Sequence, residues 1–288
     1  WYLDHKGLGR VTVGRINTST AGLSTIDLGG AGVAANASIG YWNRGFAVVA
    51  ADGAPVGPIN SWSDFLGGNA MNGASLSRAN AIKYDSPVFG GFSVSASWGE
   101  DDVWDAALRY AGELGGFRLA AGLGYRSNYT GLNEATRDNP GVNGPEPEQL
   151  IASASILHVV SGLFLTGSYI NQDNDTAGRS DTTLWYAQGG ISKNWTGLGK
   201  TVLYGEYARV DDGLDNFQCC AAANPAGTVP LPAGTGSTAE VWGLGVVQHL
   251  DAAAMEVFLS YRKYTAEGQG LVDINDMDMV VGGARIRF

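Results

Sequence analysis

The sequence is short of cysteine, proline, charge and uninterrupted apolar runs, and each shortage excludes a class of protein. Its only cysteines are the adjacent pair Cys219 and Cys220. They match no metal-ligand spacing and cannot staple distant parts of a fold. A strained vicinal disulfide, a link to another chain, free thiols, or simply two small residues in an exposed loop all remain open for them. Proline numbers 9, and the 43 glycines follow no three-residue period, so neither collagen nor a disordered linker fits. Only 16% of residues are charged, with 18 basic against 28 acidic side chains and a net charge of -10. A nucleic-acid partner would require the opposite excess. No apolar run approaches the ~18 residues that a membrane-spanning helix needs. Crossing by strands survives that test, because alternating strands never produce such a run.

What is present is alternation. Aromatics make up 10% of the chain and mean hydropathy is -0.04, too apolar for disorder. Period-2 segments recur near 8–15, 77–86, 91–99, 103–112, 116–127, 149–160, 162–171, 182–193, 198–210, 238–249, 253–264 and 276–288. Long amphipathic helical patterns do not. The pattern predicts about twelve strands, most of roughly ten residues, the length a tilted strand needs to cross a bilayer.

The connections sort by parity. Short turns at PVFG, ELGG, VSG, NWTG and LDAA alternate with mostly longer polar stretches such as 128–148, NQDNDTAGRSD, 211–237 and EGQGLVDIN. An antiparallel up-and-down barrel in an outer membrane has this asymmetry, tight turns on the periplasmic side and long loops outside. Residues 16–76 form the longest connection, placed by the alternation on the external side. Its anchors Tyr41, Trp42, Phe46, Trp62 and Phe65 suit a segment folded into the lumen rather than a loose flap.

The two faces of the strands differ in chemistry. Val94, Trp98, Leu108, Leu123, Leu165, Leu203, Tyr207, Trp242, Leu244, Leu259 and Tyr261 share the apolar parity and are assigned to lipid, with Tyr and Trp towards strand ends as an interfacial girdle. Arg10, Lys83, Arg109, Arg118, Arg126, Ser153, Ser155, Thr166, Ser168, Gln188, Glu206, Glu256, Ser260, Arg262 and Arg285 fall on the other parity and are assigned to the lumen. In the last strand Val280, Gly282, Ala284, Ile286 and Phe288 share one face, Arg285 and Arg287 the other. A soluble β-barrel or sandwich would show shorter strands, of about five to six residues.

The stretch NAIKYDSPVFGGFSVSASWGEDD resembles the strand-turn-strand segment after the constriction loop in the general porins of Gram-negative outer membranes. GLGRVTVGR resembles the strand leading into that loop, SILHVVSGLFLTGSY a later hairpin, and a final strand ending in Phe the terminal signature of the superfamily. The resemblance implies a sixteen-stranded trimeric barrel of which this chain supplies strands five to sixteen, the four N-terminal strands lying outside it; the alternative is a variant that closes with about twelve strands, whose lumen an inward loop of about sixty residues would crowd. It also implies a single β-barrel domain over 1–288, with 16–76 as an inward constriction loop, a homotrimer in contact with outer-membrane lipid and lipopolysaccharide, and Phe288 as an assembly signal.

The resemblance places acids on the loop opposite a basic wall. SDFLGGN at 63–69 looks like the family's loop tip, giving Asp64 as the acid and Asp52 as a second candidate. Arg10, Lys83, Arg109, Arg118, Arg126, Arg262 and Arg285 are the wall candidates, each alternatively a solvated charge or one paired with Glu206 or Glu256. Opposed charges across a waist set a transverse field that favours polar solutes. The three histidines, His5, His158 and His249, show no ligand spacing. Asp173, Asp175 and Asp181 are weak calcium candidates by ligand hardness but fit no EF-hand, and a solvated loop bridged to lipopolysaccharide by divalent ions suits them better. The expected function is passive diffusion of small hydrophilic solutes and ions, without cofactor, metal or covalent chemistry. A substrate-selective, anion-preferring channel and a plugged structural or surface-recognition barrel are the alternatives.

Overall fold

The computed structural model describes residues 1–43, 45–54, 56, 59, 61–67, 78–100, 103–127, 148–173, 180–216, 236–268 and 271–287. They form one antiparallel sheet of thirteen strands in sequence order: β1 (Tyr2–His5), β2 (Gly9–Asn17), β3 (Arg78–Asp85), β4 (Phe92–Gly99), β5 (Trp104–Leu114), β6 (Phe117–Ser127), β7 (Glu148–His158), β8 (Leu163–Asp173), β9 (Thr182–Lys193), β10 (Thr201–Asp211), β11 (Thr238–Leu250), β12 (Met255–Glu267) and β13 (Met277–Ile286). Twelve of these coincide with the expected strands. The additional one, β1, pairs with β2 from Tyr2↔Thr12 to His5↔Gly9. Four residues are too few for a period-2 pattern to stand out from background. Among the described residues the sheet does not close: β1 and β13 each have one neighbour. Each therefore carries an edge row of backbone groups that a bilayer would have to see paired.

Register confirms the parity assignment. Trp242 is paired with Tyr207 and Lys263, and Leu244 with Gly205 and Tyr261. Trp98, Leu165, Trp185, Leu203, Leu244 and Leu259 are all exposed on the outer face. The strand ends that lead into the turns 86–91, 115–116, 159–162, 194–200 and 251–254 lie at one rim, and the strand ends that flank 18–77, 128–147, 174–181, 212–237 and 268–276 at the other.

The inner face is not uniformly polar, contrary to simple alternation. Towards the long-loop rim Ile151, Ile170, Leu184, Val210, Val241 and Tyr264 are buried, and towards the short-turn rim Leu157, Phe164, Val202, Val247 and Phe258. Between these bands runs a belt of buried polar side chains: Ser153, Ser155, Thr166, Ser168, Gln188, Glu206, Ser260 and Arg262.

The segment between β2 and β3, here called the strap, lies along that belt. Its side chains fill the apolar bands: Leu23, Ile39, Val48, Ile59, Trp62 and Phe65 join the upper one, and Ala31, Ala34 and Ala35 the lower. Burying each large side chain contributes about 1.5–3 kcal/mol. Its backbone meets the belt. Ser168 Oγ donates to the Ser24 carbonyl at 2.7 Å, Leu28 N–H donates to Ser155 Oγ at 3.0 Å, and Gln188 Nε2 donates to the Ala35 carbonyl at 3.2 Å. Leu28 thus touches β7, while the Gly30 carbonyl lies 3.0 Å from His249 Nε2 on β11. In a flat sheet those strands would be roughly 19 Å apart, so the wall curls around the strap.

Leu23 sits where the wall has no side chains. A Cβ at either Gly122 or Gly124 of β6 would overlap its methyl groups. Overfilling that socket should cost about 1–3 kcal/mol. Gly122→Val is therefore expected to lower the unfolding midpoint in detergent, and Leu23→Ala in the same chain to restore part of the loss. Strictly additive destabilisation in the double variant would contradict the socket.

Candidate functional site

Three polar clusters hold the strap to the wall. The first fixes its start. Asp105, inward on β5 and 1% exposed, accepts the Ser19 and Thr20 N–H groups at 3.0 and 2.8 Å and the Thr20 hydroxyl at 2.7 Å, and Ser97 Oγ also donates to it. Two residues along the same face, Arg109 donates to the Ser19 and Ala21 carbonyls at 2.5 and 3.2 Å and to Ser95 Oγ at 3.0 Å. An acid takes the strap's donors and a base takes its acceptors. A carboxylate buried this deeply is tolerable because donors surround it.

The second cluster sits in the belt. Arg262 on β12 donates through Nε to Glu206 of β10 at 2.6 Å and through Nη2 to the other carboxylate oxygen at 3.1 Å. That fork-on-carboxylate geometry is the strong form of an ion pair. Tyr186 donates to the same carboxylate at 3.0 Å, and Arg262 Nη2 reaches the Ala34 carbonyl of the strap at 3.3 Å.

The third lies towards the short-turn rim. Glu256 on β12 binds Arg285 of β13 at 2.6 Å and Arg287 at 3.1 Å, with His249 at 3.6 Å. Facing it, Asp27 of the strap accepts the N–H groups of Gly29, Gly30 and Gly32 at 2.7, 3.1 and 2.8 Å. Gly30 has φ +91, a conformation that L side chains rarely adopt. Between this acid turn and the β12–β13 wall is a cavity of about 590 Å³.

The residues expected from the sequence are dispersed. Arg109 and Arg262 contact the strap. Arg126 is partly buried on β6, in register with Asp105. Arg285 is engaged by Glu256. Arg10 pairs with Asp4 at 2.7 Å, Lys83 with Asp85 at 3.3 Å and Arg118 with Glu113 at 3.0 Å, and Lys83 stands in register with Ser97 of the first cluster. Asp64 is 6% exposed. It sits in the short helix α1 (Trp62–Phe65), where it accepts the Ser61 N–H at 2.9 Å in a capping box. Asp52 is exposed and accepts the Ala54 N–H at 2.9 Å. Asp173 ends β8 and Asp181 precedes β9. Among the described residues no group of three His, Cys, Asp or Glu side chains is gathered as for a metal. Asp175, Cys219, Cys220 and Phe288 lie outside the described residues.

Asp27 and Asp105 were not anticipated. Asp27 opens the run DLGGAG, an acid followed by glycines that free the backbone to point N–H groups back at it. Asp105 falls on the inward parity of its strand beside two alanines, which marks a buried carboxylate in need of partners.

The sequence model of the Gram-negative porin family matches residues 2–269. The chain belongs to that family. A porin is an outer-membrane channel for solutes, and the lipid-facing outer wall and polar inner belt are the two surfaces such a channel requires. Solved porins share the fold. The anion-selective porin from Comamonas acidovorans is 16% identical, with TM-score 0.51, covering 96% of this chain and 71% of that one. OprB of Pseudomonas putida is 12% identical, with TM-score 0.58, covering 98% and 70%. OmpF of Salmonella typhi, solved with daunomycin, is 14% identical, with TM-score 0.51, covering 97% and 75%. No curated protein matches the sequence.

Removing one partner of the belt ion pair strands the other. Glu206→Gln in this porin is expected to destabilise it by about 3–5 kcal/mol, while replacing Glu206 and Arg262 together by Leu and Met costs much less. Denaturant unfolding in detergent checks this; equal losses for the single and double changes would refute it.

Proposed function

We propose that this porin passes small hydrophilic solutes and ions by passive diffusion through a lumen that the strap narrows, without covalent chemistry. One observation carries the reading: the strap is seated by its backbone on the polar belt of the inner wall, yet leaves the 590 Å³ cavity beside β12 and β13 unfilled. The described residues of the strap do not line it with apolar side chains alone. Instead the cavity has an acid on the strap, Asp27, opposite Arg285 and Arg287 on the wall, so a solute entering it meets a field directed from wall to strap.

Assembly as a homotrimer is part of the same proposal. It is supported by family membership and by small outward residues that would let lipid faces approach closely, among them Gly189 and Gly205 paired across β9 and β10. Lipopolysaccharide is proposed as the lipid partner at the long-loop rim. There Arg209, Asp211 and Glu240 lie beyond the outward rings of Tyr207 and Trp242, with Lys263 level with Trp242, where divalent ions bridge the acids to lipid phosphates.

In planar bilayers the wild type is expected to give ohmic current that does not saturate with salt. Asp105→Ala, which releases the start of the strap, should raise single-channel conductance. A wild type that never conducts would favour the plugged barrel, and unchanged conductance in Asp105→Ala would remove the strap from the passage.

A further inference from the structure

The cavity beside β12 and β13 has an imbalance that its formal charge hides. Its charges cancel, because Arg285 and Arg287 are matched by Glu256 and Asp27 in the lining, and Arg262 by Glu206 behind it. Its hydrogen-bonding capacity does not cancel. Asp27 is turned to three backbone N–H groups of its own loop. Both oxygens of Glu256 are held by guanidinium groups, and both oxygens of Glu206 by Arg262, with Tyr186 added on one. The acids are spent on partners within the protein.

Two of the bases are not. Arg262 is 2% exposed, held by Glu206 and beside the Tyr264 hydroxyl, so it lends its charge to the cavity wall without an open donor. Arg285 directs Nε and Nη2 onto a single oxygen of Glu256, and Arg287 is held by Nη2 alone at 3.1 Å while its side chain remains 66% exposed. The unspent polar capacity is therefore made of guanidinium donors. What complements them is a group rich in acceptors and able to take a fork, a carboxylate.

The other lining is aromatic. Tyr41 and Trp42 of the strap stand edge to face, with ring centroids 5.1 Å apart at 89°, and Trp42 lies 5.8 Å from Phe258 of β12. Tyr41 is 54% exposed, so part of its ring is open to the cavity it lines. A flat ring can be received there by edge-to-face contact. A cavity of about 590 Å³ is within the range of small-molecule sites, roughly 300–1,000 Å³.

We propose that this cavity is a binding subsite for small aromatic carboxylates, the carboxylate taken by N–H groups of Arg285 and Arg287, with the charge of Arg262 behind them, and the ring by Tyr41 and Trp42. The inference deepens the passage reading above and rests on it for the solute's route of entry. A subsite inside a diffusion channel slows the solutes it fits, so the channel conducts generally but saturates for this class.

Benzoate is the probe, with benzylamine and acetate as controls. In planar bilayers benzoate should reduce single-channel chloride current saturably. Arg287→Gln should raise the half-blocking concentration about tenfold, the loss of one charge-assisted hydrogen bond, and Trp42→Ala should raise it several-fold. Saturation-transfer NMR on detergent-solubilised protein reads benzoate binding whether or not the protein conducts. Binding that depends on Arg287 in a silent protein would uphold the subsite and defeat the passage. Conduction without benzoate block or saturation transfer would defeat the subsite alone. The subsite is equally overturned if benzylamine or acetate acts at the same concentration as benzoate, or if Arg287→Gln changes nothing.

Discussion

A loop carried inside a barrel wall brings its backbone with it, and every N–H and C=O on that backbone needs a partner. This requirement shapes the inner surface of the molecule. Among its described residues the strap has a 3-10 turn at Leu23–Thr25 and the short helix at Trp62–Phe65; many of its N–H groups are met by its own turns, and the wall meets others and a series of its carbonyls. Asp105 and Arg109 take its first residues, Ser153, Ser155 and Ser168 the next, and Gln188, Arg262 and Tyr264 the carbonyls of Ala35, Ala34 and Ile39. The lumenal serines and arginines that look like a solvated surface in the sequence are in large part the strap's hydrogen-bonding partners.

That shared role explains why the wall is banded. A purely polar inner face would satisfy the strap's backbone but leave Leu23, Ile39 and Trp62 without apolar neighbours. Placing Ile151, Leu184, Val210 and Tyr264 above the belt, and Phe164, Val202 and Phe258 below it, lets both halves of the strap's chemistry be met at once. The belt's ion pairs follow the same economy. Glu206 neutralises a guanidinium that is itself needed to hold a strap carbonyl, and Glu256 gathers Arg285 and Arg287 where the wall turns towards the cavity. Function comes from what is left over: the space the strap does not fill and the donors the acids do not take.

Much of the wall was legible in the sequence. Strand parity, strand length and the sorting of short and long connections follow from period-2 alternation and turn residues, and these placed Trp98, Leu165 and Leu259 outside and Ser155, Gln188 and Arg262 inside. The missed strand, β1, was too short to show a period. The site was less legible, because its geometry depends on which strap residue meets which strand. Asp64 reads as a loop-tip acid, but three residues after Ser61 it is also the capping position of a helix, and the local bond wins. The pairing of arginines with Glu206 and Glu256 was open in the sequence as an alternative for any of them. Register decides it for Arg262 and Arg285, because inward residues of β10, β12 and β13 face the same lumen. Asp27 needed its glycines, and the folded turn, to be seen as an acid at all.

The central claim is that the strap is bonded to the wall rather than lying loosely within it, and amide hydrogen exchange of the porin in detergent or lipid discs tests it most directly. Peptides covering 18–39 are predicted to exchange as slowly as those from the neighbouring strands, since Ser19, Thr20, Leu28, Gly29, Gly30 and Gly32 all donate to protein acceptors. Exchange of those peptides at the rate of an open surface loop, while the strands stay protected, would contradict the account.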